Sequence, residues 1–311
     1  MMWISLKTPA RRSQRQSPAA ERGMAVIAAL VVVAAASVAA AAILDRQALL
    51  IDTLTVERDR AEAQSVLRGG IEWARVILHS DARGSAITHS SAMWAQPIVG
   101  LDIQSPDKAR AGQFSGVIED EQGKVNLWRL AAQGTVQRQD LVVLQRVLRA
   151  LDLPDSLARS IAQRVADAQG AAGRPASAPG LAGMSDLLGM EGITPDVLRA
   201  LSPHVTIVPA RTGINVNTAS AVVLSAVVPG LSLAQARDLV RERDRGQWFT
   251  DSEDFLNRLP VENAVPAQPV HVRSEWFLVS GEVISRGVAQ SMQALLRREG
   301  NAAPVIVWVR G

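Results

Sequence analysis

No cysteine occurs anywhere in the 311 residues, which excludes disulfides, thiolate metal sites and cysteine nucleophiles. Tyrosine is absent too, and aromatic residues make up only 4%. With 48% of the chain apolar, a core must be built mainly from Ala, Val, Leu and Ile. The four histidines, His79, His89, His204 and His271, lie too far apart for the short spacings that ligate metals. No nucleophile–base pair or metal constellation stands out, so the chain is read as a non-enzyme. Charge is missing in one further place: residues 24–44 contain no Asp, Glu, Lys or Arg.

That run is 21 residues long. As a helix rising about 1.5 Å per residue it spans about 31 Å, close to the hydrocarbon thickness of a bilayer. Ser37 is its one polar residue, and its hydroxyl can bond back to a carbonyl one turn earlier. Before the run stand Lys7, Arg11, Arg12, Arg15 and Arg22 against Glu21. Five bases and one acid give this leader +4; the whole chain carries +3, leaving −1 for residues 24–311. The basic flank predicts a cytoplasmic N-terminus with the rest carried across. The nearly neutral remainder shows no global bias towards nucleic acid. Three fates fit the run. It is an uncleaved signal anchor, or a signal peptide cut at an Ala-x-Ala site near residues 39–42, or a helix released by cleavage after Gly23. A signal peptide would have an unusually long apolar region, since about 7–15 residues is normal.

Beyond residue 44 the helical spacing continues on one face through Ile51, Leu54, Arg58, Ala61 and Ser65. One long helix is expected over residues 24–78, kinked near Gly69-Gly70 or split there into two. Residues 80–112 are polar. Two short strands around a turn are expected at 114–118 and 124–128. Helical periodicity follows at 140–151 and 157–168. A Gly/Ala/Pro/Ser loop covers 170–183. Two short helices lie within 184–201, the second started by Thr194-Pro195-Asp196. A helix pair at 218–228 and 233–243 surrounds Pro229-Gly230, and another helix starts at Ser252. Strands return at 275–279 and 282–286, read as a pair, then at 290–298 and 305–309. The expected class is α+β: a small α/β unit interrupted by an all-helical segment.

Gly213-Ile-Asn-Val-Asn-Thr-Ala-Ser220, with Val228-Pro-Gly230 and Gly246-Gln-Trp-Phe249, resembles a helix-hairpin-helix unit, a module that often binds DNA backbones. Here the second hairpin glycine is replaced, giving Gly230-Leu-Ser232, which hinders close backbone approach to phosphate. Arg237, Arg241, Arg243 and Arg245 alternate with Asp238, Glu242 and Asp244, a pattern of a solvated face rather than a phosphate stripe. A structural or protein-contact role is therefore expected for Asn215, Asn217, Thr218 and Gly230. The asparagines would bond locally to the backbone, and Thr218 would cap the helix or sit in its first turn. Trp248, Phe249, Phe255 and Leu256 would close a small core.

Arg22-Gly23-Met24 before an apolar helix resembles a type IV prepilin leader. That resemblance implies a prepilin peptidase cutting between Gly23 and Met24, methylation of the new N-terminus and retention of the helix. Such leaders usually carry glutamate at the fifth mature position; here it is Ala28. The minor pseudopilins of the general secretion pathway protein K (GspK) family in type II secretion systems lack that glutamate. Further stretches are similar to that family: Asp120-Glu-Gln-Gly-Lys-Val-Asn-Leu127, Gly189-Met-Glu-Gly-Ile193 and Ser274-Glu-Trp-Phe-Leu-Val-Ser-Gly281. The likeness runs with gaps from residue 22 to about 283.

The family resemblance implies a leader at 1–23 and a transmembrane part at 24–44. A periplasmic helix and the first part of a pilin-like domain would occupy 45–130, an inserted helix-hairpin-helix or SAM-like domain 131–268, and closing strands 269–311. It implies an inner-membrane, single-pass protein with its body in the periplasm, sitting at the tip of a pseudopilus that exports proteins across the outer membrane. Its partners would be minor pseudopilins I and J, other components of the secretion system and the prepilin peptidase, with no nucleic acid. A membrane-anchored periplasmic DNA receptor is the alternative. No cofactor is expected with assurance. Calcium is associated with the family, and Asp167, Asp186 and Glu191 are the carboxylates left for it here, few for an ion that takes about six to eight oxygens.

Overall fold

The computed structural model describes residues 18–104, 111–171, 173–285 and 288–311. The chain divides into two compact units, Met1–Ala61 and Glu62–Gly311. Helix α1 covers Pro18–Gly84, extending the expected helix at both ends. Within the first unit the described residues belong to α1, and residues 23–54 are all exposed. From residue 24 to 68 there is neither glycine nor proline, so nothing local stops the helix.

In the second unit α1 packs on a five-stranded antiparallel sheet. The strands are β1 (Ile98–Gln104), β2 (Ala111–Asp120), β3 (Trp276–Ser285), β4 (Val288–Arg297) and β5 (Val305–Arg310). They neighbour one another in that order. Alternate residues of β2–β4, among them Phe114, Ile118, Val279, Val283, Met292, Ala294 and Leu296, form one core with Ala63, Leu67, Ile71, Ala74 and Leu78 of α1. The strands bury every second residue and the helix every third or fourth, as their geometries require.

The helix continues through Gly69-Gly70, and the two glycines differ in surroundings. Gly69 has open space around it. A Cβ on Gly70 would stand 2.9 Å from Phe114 Cζ. Gly116 is equally close to that ring, and Gly281 faces Leu67 Cδ2 at 3.1 Å and Phe114 Cε2 at 3.4 Å. The ring of Phe114 is thus seated among three glycines, two of them paired across β2 and β3. Gly70 serves helix–sheet approach and breaks nothing.

Two strand expectations need correction. Residues 275–279 and 282–286 are not a hairpin: β3 runs straight through Ser280-Gly281, because Gly281 is needed beneath Leu67 and Phe114; Arg286 lies outside the described residues. Residues 114–118 and 124–128 do not pair with each other either. β2 pairs with β1 and β3, whereas Val125–Asn126 forms a two-residue parallel ladder with Val205–Thr206. A 3-10 helix takes over at Leu127–Leu130, with the Asn126 side chain accepting from the Trp128 amide. Strand β1 lay inside the stretch read only as polar.

Between β2 and β3 the chain builds a second core. It contains α2 (Arg138–Ala150), α3 (Ser156–Gln169), α4 (Pro195–Leu201), α5 (Ala221–Val227), α6 (Leu233–Asp244) and α7 (Ser252–Asn257). Fully buried Val143, Leu144, Val147 and Leu148 of α2 meet Ile161, Ala162 and Val165 of α3 and Val223, Leu224 and Val227 of α5. Thr194 caps α4, Ser232 caps α6 in a reciprocal box with Gln235, and Asp251 caps α7. Phe249 and Phe255 close this core edge to face, 5.1 Å between centroids, while Leu256 stays 37% exposed, contrary to expectation. Short parallel ladders, including Ile214–Asn215 with Val270–His271, run among the helices. The fold is mixed α+β.

Candidate functional site

Gly23 and Met24 lie in α1, with nothing within 4 Å of a Cβ placed on Gly23; Met24 is 72% exposed. The helix from Gly23 to Gly84 is long and apolar enough to cross a membrane, with mean hydropathy 2.7 in its most apolar window. Ser37 donates to the Val33 carbonyl at 2.8 Å, so its hydroxyl is satisfied within the helix. Ala28 is exposed among apolar neighbours.

Asn215 and Asn217 are buried, and Thr218 half-buried, at the junction between the inserted helices and the sheet. Asp120, the last residue of β2, is the hub. Its Oδ2 accepts from the hydroxyls of Ser274 and Thr218, both at 2.6 Å, and from Asn215 Nδ2 at 2.9 Å. Its Oδ1 accepts from the Gln122 amide at 2.8 Å. Asn215 Nδ2 also reaches the Thr88 carbonyl at 3.0 Å and Ser274 Oγ at 2.8 Å. Burial pushes the Asp120 carboxyl above the usual carboxylate range, against the opposing pull of the bonds from Ser274, Thr218, Gln122 and Asn215.

Arg298 adjoins this knot. Nearly fully buried, it donates to the carbonyls of Leu78 and Ser274, each at 3.0 Å, to Thr88 Oγ1 and to Asp81. One cluster therefore ties the end of α1, β2, the inserted helices and the segment entering β3. Beside it, burial also raises the pKa of Glu121, opposed by Lys124 and the Thr206 hydroxyl that donates to it. Burial lowers that of Lys124, but Glu121 and Glu119 outweigh it and hold the ammonium above its ordinary value.

Asn217 acts like a strand in miniature. Its Nδ2 donates to the Phe249 carbonyl at 2.8 Å, and its Oδ1 accepts the Phe249 amide at 2.9 Å. The local bond expected for Asn215 is present, from the Asn217 amide at 3.0 Å, but both side chains chiefly join distant segments. Thr218 is not the helix cap. Ser220 is, accepting from the Val223 amide, because Thr218 is engaged by Asp120 two residues before the turn. Gly230 has φ +84° between α5 and α6, with Val261 Cγ1 3.3 Å from where a Cβ would lie.

Of the three arginines of α6, one is built into the fold and two, Arg237 and Arg241, are exposed. Arg243, 4% exposed, donates to the carbonyls of Val216 at 3.0 Å and Ala219 at 2.6 Å. Arg241 pairs with Asp238. The exposed Arg237, Arg241 and Arg245 are interleaved with Asp238, Glu242 and Asp244, a mixed-charge face rather than the cationic stripe a phosphate backbone needs. Among the described residues no group of three or more His, Cys, Asp or Glu side chains is placed to hold a metal ion. Asp186 instead faces Arg310.

Sequence reading missed Asp120, Ser274, Thr88 and Arg298 as members of the junction. A signal did exist: the stretches beginning at Asp120 and Ser274 and the one around Asn215 were each noted for their resemblance, and these are the segments that meet.

Two family models described as type II secretion system (T2SS), protein K match residues 123–210 and 214–273. Type II secretion system protein K of Pseudomonas aeruginosa strain PAO1 is 25% identical over 303 residues, covering 89% of each chain. The fold is similar to a chain in the crystal structure of the GspK-GspI-GspJ complex from the enterotoxigenic Escherichia coli type 2 secretion system. That match has a TM-score of 0.58 and 18% identity, and covers 82% of this chain and 97% of the other. Both parts of one family description match in tandem, and a curated relative aligns along most of the chain, so the chain is similar in sequence and in fold to type II secretion system protein K.

Proposed function

We propose that this protein is the minor pseudopilin that caps a type II secretion pseudopilus. It is cut between Gly23 and Met24, held in the inner membrane by residues 24–44 and displays its body in the periplasm. The observation that carries this reading is the abrupt boundary at Gly23: a basic leader stops, and an exposed helix follows with no charged residue until Asp45. The family match supports it. The E. coli GspK named in the solved complex assembles with GspI and GspJ, and the corresponding pseudopilins I and J are the partners proposed here. Ala28 cannot offer a carboxylate to the N-terminal amine of a neighbouring subunit, which suits a terminal position. Residues 131–268 form the inserted domain whose bulk suits the same place, and residues 269–311 complete the sheet. The role is assembly during protein export across the outer membrane, without chemistry of its own.

The test is the intact mass and N-terminal peptide of the full chain extracted from membranes, made with and without a prepilin peptidase. A methylated N-terminus at Met24 only when the peptidase is present supports the reading. An uncleaved chain, or one starting near residue 42, removes it.

A further inference from the structure

After α3 the chain runs to the 3-10 turn Met184–Leu187, and residues 169–183 contain no Asp or Glu. Two guanidinium groups hold this segment. Arg164 on α3 donates to the Pro179 carbonyl at 2.8 Å. Arg310 on β5 places Nη2 3.2 Å and Nη1 3.5 Å from the two oxygens of Asp186. Asp186 Oδ2 also accepts the amides of Ala182 at 2.7 Å and Gly183 at 3.0 Å, which closes the turn. The approach is close: a Cβ on Gly183 would stand 3.2 Å from Arg310 Nη1.

A divalent cation orders a loop by gathering its carbonyls and carboxylates. Here a loop carbonyl and a loop carboxylate are each taken by an arginine. Two other carboxylates stand near the segment, and neither is drawn into the turn. The Asp167 carboxylate accepts from Gln163 at 2.8 Å, and its main-chain oxygen receives the Ser177 and Ala178 amides; Glu191 is exposed.

We propose that Arg310, together with Arg164, is the built-in cation of this segment, docking residues 177–188 on β5 and α3 so that its order needs no divalent metal. A guanidinium stays charged at any physiological pH and cannot be removed by a chelator. Burial works to raise the pKa of Asp186, but the amides and Arg310 together bring it below the ordinary value, so the pair remains ionised at neutral pH. The insertion is then fastened to the last strand of the sheet by a contact 124 residues apart in sequence.

Hydrogen exchange on the full chain in detergent tests this, with EGTA, with millimolar calcium chloride, and in the variants R310M and R164M. The expected result is wild-type exchange at 177–188 unchanged by either addition, and exchange in R310M faster by about tenfold or more, as loss of a charge-assisted bond implies. Wild-type exchange that EGTA accelerates, or calcium slows, overturns the proposal. So does wild-type protection in R310M. Should R310M loosen β5 as well, R164M decides: faster exchange at 177–181 supports the proposal, and unchanged exchange overturns it.

Discussion

Replacing Asp120 by alanine removes the acceptor on which four donors converge. Asn215 keeps the Thr88 carbonyl and Ser274 Oγ, and the Ser274 hydroxyl can turn. The Gln122 amide and the Thr218 hydroxyl have no comparable substitute; the carbonyl of Asn215 is 3.4 Å from Thr218 Oγ1. A buried donor left unpaired costs about 1–3 kcal/mol. Two of them cost about 2–6, less the relief of removing a buried charge, so D120A should lose about 2–5 kcal/mol. That is a large share of a typical 5–15 kcal/mol domain stability. Urea unfolding of the full chain in detergent, followed by tryptophan fluorescence, measures it. D120N should fall in between: it retains the Oδ1 acceptor but turns an amide towards Asn215 Nδ2. The pH dependence separates charge from shape. Because burial raises the Asp120 pKa, the folded chain keeps a proton that the unfolded chain loses above its ordinary value of 3.8. Stability contributed by this group is therefore greatest at low pH, declines as pH rises from that value to the raised one, and is level beyond. The wild-type minus D120N difference should show that decline, since Glu121 titrates in both. An alanine variant within about 1 kcal/mol of wild type, a penalty below that of even one buried orphan donor, would refute the keystone role.

Gly69→Ala, in open space within α1, should stabilise by about 0.5–1 kcal/mol through helix propensity. Gly281→Val should cost about 1–3 kcal/mol by overpacking against Leu67 and Phe114; the two urea midpoints must move in opposite directions. Asn217→Ala orphans the amide and carbonyl of Phe249 and should cost about 2–4 kcal/mol, with hydrogen exchange accelerated first around residues 247–251. Arg243→Met should destabilise by about 2–3 kcal/mol, because the Val216 and Ala219 carbonyls lose their donor. A mobility-shift assay should show no salt-sensitive DNA binding for that variant or for wild type.

Helices α2, α3, α4 and α6 were legible because their signals are local: a 3.6-residue stripe such as Val143, Leu144, Val147 and Leu148, or a cap such as Thr194 before Pro195, works within one or two turns. The apolar run ending at Gly23 was legible for the same reason. The glycines show where local reading stops. A breaker and a close-packing residue both exploit a missing Cβ, and the sequence around Gly69-Gly70 or Gly281 is the same in either case. What separates them is Phe114, brought in from a distant position by the pairing of β2 with β3. The junction is harder still. Asp120, Asn215 and Ser274 are 95 and 154 residues apart along the chain, and no periodicity links a hub to donors so remote. Each looks like an ordinary turn residue alone. Their meaning follows from the topology: a sheet whose chain leaves at the end of β2 and returns at the start of β3 must join those two ends again. The polar side chains at the exit and the return are the groups that can do it. The same requirement attaches to any chain with this interruption, whatever packs inside it.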